Sequence, residues 1–141
     1  MSLKFPPKPG MIVICDYKTG FRAPEMVKER LALVLSPRLP HRDGLCTVIP
    51  LSTKPPREGI LYQCKVSLPQ SAPYPYEGKF KWAKCDMLAT LSYERMKLPF
   101  TGRDPMTGKR KYLQIVVSEE EIEKVKVSVM YALGLERPAP F

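Results

Sequence analysis

A chain of 141 residues, 44% hydrophobic and 26% charged, is one globular domain's worth and long enough to bury a core without disulfides or metals. Its 23 Lys and Arg against 14 Asp and Glu leave +9, a surplus that attracts polyanions: nucleic acid, an acidic protein or an anionic membrane surface. No segment has the length of a membrane span and no signal peptide opens the chain, so the protein is expected to stay in the compartment where it is made. The 16 prolines favour short strands joined by turns over long helices. The four cysteines, Cys15, Cys46, Cys64 and Cys85, form no C-x-x-C pair and read as reduced, buried thiols. With His41 as the one histidine, no zinc-ligand spacing exists and no metal is expected.

In chain order, residues 11–17 follow Pro9-Gly10 and are rich in β-branched side chains, a strand. Residues 18–29 form a charged loop with Gly20 and Pro24. The continuous apolar runs at 31–36 and 45–51 read as central strands buried on both faces, with a turn at 41–44 between them. A polar, Pro-rich loop fills 52–59. Residues 61–68 alternate apolar and polar, which leaves one wet face. A loop at 69–78 carries Tyr74 and Tyr76, and 80–86 alternates again, with Trp82 expected partly in the core. The turn chemistry of 103–108 predicts the tip of a basic hairpin over about 99–116. Ser118 and Glu121 form a capping box that opens a helix, Ile122, Val125, Val129, Met130 and Leu133 share its apolar face, and Gly134 stops it. Strands first and one helix last predict a mainly β (α+β) domain over 1–141: a small barrel with a C-terminal helix at about 118–134 packed on it.

No P-loop, G-x-S-x-G or H-E-x-x-H signature is present, and one histidine excludes a two-histidine ribonuclease mechanism. Acid–base work therefore falls to carboxylates, Lys, Arg or hydroxyls. Three local patterns carry such groups: Glu25 with Lys28-Glu-Arg30 ahead of a buried strand, Ser52-Thr53 with Lys54 at a strand end, and Lys84-Cys-Asp86 at another. Each alone reads first as solvated charge or turn chemistry.

In order, Pro9-Gly-Met-Ile-Val13, Arg30-Leu-Ala-Leu-Val-Leu-Ser-Pro37, Val48-Ile-Pro-Leu-Ser-Thr53 and Lys84-Cys-Asp-Met-Leu-Ala-Thr90 resemble the PemK/MazF family of bacterial toxin ribonucleases. The resemblance covers about the first two-thirds of the chain. It implies an SH3-like barrel, a cytoplasmic homodimer, an acidic antitoxin partner, and metal-independent cleavage of single-stranded RNA with no cofactor. It further implies that Arg30 is catalytic, with Glu25, Ser52, Thr53, Lys84 and Asp86 around it. Arg30 suits the phosphate because its planar fork grips two oxygens, and Asp86 or Glu25 is the expected base. Lys28, Lys54, Tyr74, Tyr76 and the hairpin charges Arg103, Lys109 and Arg110 are the expected RNA-binding residues. The chain departs from the family pattern at Ala23-Pro-Glu-Met26, Leu31, Met87 and Ala89, positions associated with reading bases. A non-catalytic nucleic-acid- or protein-binding module and a gyrase-directed toxin are the alternative readings.

Overall fold

The computed structural model describes residues 2–135; Met1 and residues 136–141 of the expected domain lie outside them. Nine strands and one helix follow in order: β1 (Ile12–Cys15), β2 (Arg30–Val34), β3 (Leu45–Ser52), β4 (Gln63–Ser67), β5 (Phe80–Lys84), β6 (Ala89–Ser92), β7 (Met96–Lys97), β8 (Phe100–Arg103), β9 (Arg110–Tyr112) and α1 (Glu119–Leu133). The fold is mainly β with one C-terminal helix.

The main sheet runs β4-β5-β3-β2-β1-β7, all antiparallel, and β6 also pairs with β3. The long β3 holds β6 along Leu45–Val48 and then β5 at Leu51 and Ser52. Pro50, which has no N–H for a ladder, falls in the gap between those two partners. β6 and β7 sit at opposite edges of the β6-β3-β2-β1-β7 run, yet only one 3-10 turn (Tyr93–Arg95) separates them in sequence. The sheet must therefore curl until those edges approach. The two edges of the expected barrel are joined by chain continuity through this turn, not by a ladder.

Alternate residues of β1–β3 feed two cores. Ile12, Ile14, Leu31, Leu33, Ile49 and Leu51 face α1, where Val125 and Val129 cover them. Val13, Cys15, Ala32, Val34, Cys46 and Val48 face the other way, onto Met96 and Tyr17. Both faces are dry, so the sequence reads as continuous apolar runs rather than as alternation. Each fully buried aliphatic side chain contributes about 1.5–3 kcal/mol.

Ser118 caps α1 by accepting from Glu121 N at 3.4 Å, and Gly134 ends the helix in the left-handed conformation (φ 68°). The capping box is only half made. The Glu121 carboxylate instead accepts from Ser67 N at 3.0 Å and pairs with Lys124 at 2.9 Å, tying the helix to β4. Leu133, expected on the apolar face, is 54% exposed, and Ser128 takes an inward position. Gly10 lets the helix approach β1 closely, since a Cβ there would stand 2.9 Å from Ile122 Cδ1. The alternation of β5 runs in the opposite phase from the one its composition suggests. Lys81 and Ala83 are buried, Phe80 is exposed and Trp82 half-buried.

Candidate active-site cleft

β2 begins and β3 ends at the same edge of the structure, because their register sets Ala32 opposite Pro50. β5 lies on the other side of β3, with Ala83 opposite Leu51. Arg30 at the start of β2, Ser52 at the end of β3 and Lys84 at the end of β5 are thereby brought around one cleft of about 370 Å³. Lys28, Glu29, Thr53, Lys54, Tyr76 and Lys81 complete its polar wall, over Leu31 and Leu51.

Buried polar atoms in this cleft are held unevenly. The Arg30 Nε is buried and has no hydrogen-bond partner among the described residues. Leaving such a donor unmade costs about 1–3 kcal/mol, which an anionic ligand would offset. Ser52, 3% exposed, accepts from Lys54 N at 3.1 Å, so its hydroxyl proton remains free to donate. Lys81, 2% exposed, donates to the carbonyls of Tyr76 and Glu77, both at 2.8 Å. Burial lowers its pKa, with Glu77 pulling the other way. This ammonium pins the loop over the cleft and so positions the Tyr76 ring. The Tyr76 hydroxyl donates to Glu29 Oε1 at 3.2 Å. Burial, and then the Glu29 carboxylate, push that phenol up to about 12, so it stays a donor at neutral pH. Glu29 Oε2 also stands 3.9 Å from Lys97 Nζ on β7.

Of the site residues expected from sequence, Arg30, Ser52, Thr53, Lys84, Lys28, Lys54 and Tyr76 line the cleft together. Glu25 is exposed and outside the lining; its Oε1 accepts from Arg22 N at 3.0 Å, a contact internal to its own loop. Asp86 is exposed in the 3-10 turn Cys85–Met87, also outside the lining. Tyr74 is 84% exposed on the same loop as Tyr76 and stands apart from the cleft wall. Arg103, Lys109 and Arg110 belong to the β8–β9 hairpin. Sequence reasoning missed Glu29 and Lys81. Glu29 is the one carboxylate lining the cleft among the described residues; its signal was adjacency to Arg30 at a strand start. Lys81 had no signal, since a lysine in an alternating strand is counted on the wet face. No group of three His, Cys, Asp or Glu side chains is placed to hold a metal ion among the described residues.

A curled antiparallel sheet with one covering helix thus carries a cleft lined by cations at its strand ends. A model of the family described as PemK-like, MazF-like toxin of type II toxin–antitoxin system matches residues 8–133, and the chain belongs to that family. It is 32% identical to an uncharacterized protein of Haemophilus influenzae, over 68% of this chain and 73% of that one. It is 26% identical to YifN of Escherichia coli K12, over 73% of this chain and 80% of that one. Among solved structures, MazF (Form-I) from Deinococcus radiodurans superposes with TM-score 0.60 at 20% identity, over 94% of this chain and 100% of that one. An endoribonuclease from a mycobacterial species, in complex with its cognate antitoxin, gives 0.55 at 19%, over 94% and 99%. At these identities the structural likeness is one of fold.

Proposed function

We propose that this chain is a toxin ribonuclease of its family's kind, cutting single-stranded RNA at the Arg30 cleft without a metal. The observation that carries this reading is the unpartnered, buried Arg30 Nε beside the free Ser52 hydroxyl and the Lys84 ammonium. That set offers two cations and a hydroxyl donor to the charged oxygens of a phosphodiester. Glu29, in the same cleft, is the carboxylate placed to take the ribose 2′-hydroxyl proton. The 2′-oxygen then bonds to phosphorus, and Arg30 and Ser52 hold the equatorial oxygens as negative charge builds on them. The bond to the 5′-oxygen breaks, the leaving oxygen, stabilised by Lys84, takes a proton from water, and the products are a 2′,3′-cyclic phosphate and a 5′-hydroxyl; the hydroxide left behind recovers the proton held by Glu29. Tyr76 holds Glu29 in place through its 3.2 Å hydrogen bond. Thr53, Lys28 and Lys54 supply further contacts to the backbone of the RNA.

The family membership supports an antitoxin partner. An acidic, partly disordered segment folding over the cleft would block RNA by occupying the same cations. We further propose a homodimer acting in the cytoplasm; no helix among the described residues is long and apolar enough to cross a membrane. The direct test incubates purified, antitoxin-free protein with a long single-stranded RNA in EDTA and maps the product ends. Discrete cuts bearing 5′-hydroxyls are expected. Intact RNA in the presence of folded protein would overturn the ribonuclease reading and leave a binding module.

A further inference from the structure

On the β4 side of β5, away from the cleft, Cys64 stands opposite Ala83. Cys85 comes two residues after Ala83, and its N–H donates to Tyr62 O at 3.2 Å, so the ladder continues to it. Residues two apart on a strand share a face, which makes Cys64 and Cys85 diagonal neighbours beneath α1. Cys85 is fully buried, its thiol turned toward the carbonyls of Val125 (3.7 Å) and Ala83 (3.8 Å). Cys64 is only partly buried and lines an open groove of about 520 Å³ between β4 and α1, with Lys124, Val127, Ser128 and Tyr131. Cys85 also marks where the chain leaves the sheet for a 3-10 turn. A small closing motion there bends a turn rather than a paired strand.

We propose that Cys64 and Cys85 form a peroxide-oxidisable dithiol, with Cys64 as the attacking thiolate and Cys85 as the resolving thiol. The surroundings of the two sulfurs differ in the way such a division of labour needs. The Cys85 thiol leans on Cys64, and this contact, with the Ser128 hydroxyl and the Lys124 ammonium, holds Cys64 below the ordinary thiol range against its burial. Glu121 opposes them, and Glu120 and Glu123 also border the groove. Cys85 is raised by the same contact and by burial. At the other two thiols burial wins: it pushes Cys15 up to about 12 against the Tyr17 hydroxyl and the Arg95 guanidinium, and Cys46 up to about 11. In the first step the Cys64 thiolate attacks one peroxide oxygen, the O–O bond breaks, and hydroxide leaves to become water, giving a sulfenic acid. In the second, the Cys85 sulfur attacks the Cys64 sulfur, and the sulfenic hydroxyl leaves as water with the Cys85 proton. Two thiols lose two electrons, and one peroxide becomes two waters.

The test uses the reduced full chain and hydrogen peroxide, independent of any RNA assay. Iodoacetamide at pH 7 should label Cys64 at least roughly tenfold faster than Cys46, with a labelling midpoint below the ordinary thiol value of about 8.5. Peroxide should then remove two hydrogens from the intact mass and yield a linked Cys64–Cys85 peptide. In Cys85→Ser, a sulfenic acid trapped by dimedone should accumulate at Cys64. Equal labelling of Cys64 and Cys46 in the native protein would overturn the proposal. So would a wild-type chain that stops at the sulfenic acid with no linked peptide.

Discussion

The cleft and the β8–β9 hairpin are both basic, yet they hold their charges in opposite ways. In the cleft, Arg30 is half-buried with a donor that none of the described residues satisfies, and Lys81 and Ser52 are almost wholly buried beside it. On the hairpin, residues 101–103 and 105–112 are all exposed to water, and two of its cations are already engaged. Arg103 donates to Gly108 O at 2.9 Å, and the Arg110 guanidinium lies 4.3 Å above the Phe100 ring. Positive charge alone draws a polyanion in, whereas chemistry needs donors taken out of water and left without partners.

Arg30→Met should separate the two regions most severely. If the unpartnered Nε is the phosphate grip, cleavage should fall roughly a hundred- to a thousand-fold. Stability should not fall with it, because the substitution removes a buried orphan donor that costs about 1–3 kcal/mol. A urea midpoint equal to or above that of the wild type, together with the loss of cleavage, is the expected pair of results. A lowered midpoint would make Arg30 a structural residue. Glu29→Gln comes next, with a loss of roughly a hundred-fold. If Glu29 is the base, the loss should fall on kcat with KM little changed; a kcat near that of the wild type would return the role to Glu25 or Asp86. Tyr76→Phe removes only the 3.2 Å hydrogen bond that orients Glu29. It should cost roughly ten- to a hundred-fold in kcat with KM little changed, since a hydrogen bond to a charged group contributes about 1.5–3 kcal/mol.

The cleft was partly legible in the sequence, and the boundary has physical causes. Arg30, Ser52 and Lys84 each sit at the end of a strand, so their place at a strand tip could be read. That these tips meet depends on the registers Ala32↔Pro50 and Leu51↔Ala83, which no local pattern records. Lys81 was hidden because the phase of a strand is inferred from which residues are apolar. In β5 a lysine turns inward to hold two loop carbonyls, and Phe80 turns out beneath Lys65, whose ammonium lies 4.3 Å from the ring centroid. The helix start at Ser118 and stop at Gly134 were legible because caps are local. Glu121 was misread for the opposite reason: its partner, Ser67 N, lies far away in sequence.

The hairpin should give the mildest response, and it probes the other half of the contrast. Its charges are linked to the cleft rather than isolated. Glu29 stands 3.9 Å from Lys97, Lys97 lies over the Phe100 ring at 5.6 Å, and Arg110 lies over the same ring. RNA that leaves the cleft past Lys97 would therefore meet Arg110 and its neighbours. Replacing Arg103, Lys109, Arg110 and Lys111 together by Gln should weaken RNA binding several-fold at moderate salt. The slope of log K against log salt should shrink by up to about 0.7 for each phosphate that is no longer neutralised. The cleavage rate at saturating RNA should stay unchanged, because none of the four lines the cleft that holds the reacting phosphate. A reduced kcat in this variant would mean that the hairpin belongs to the chemistry, and the division between gripping and cutting would fail. An unchanged salt slope would mean that its charges are only solvated, and that the cleft binds RNA alone.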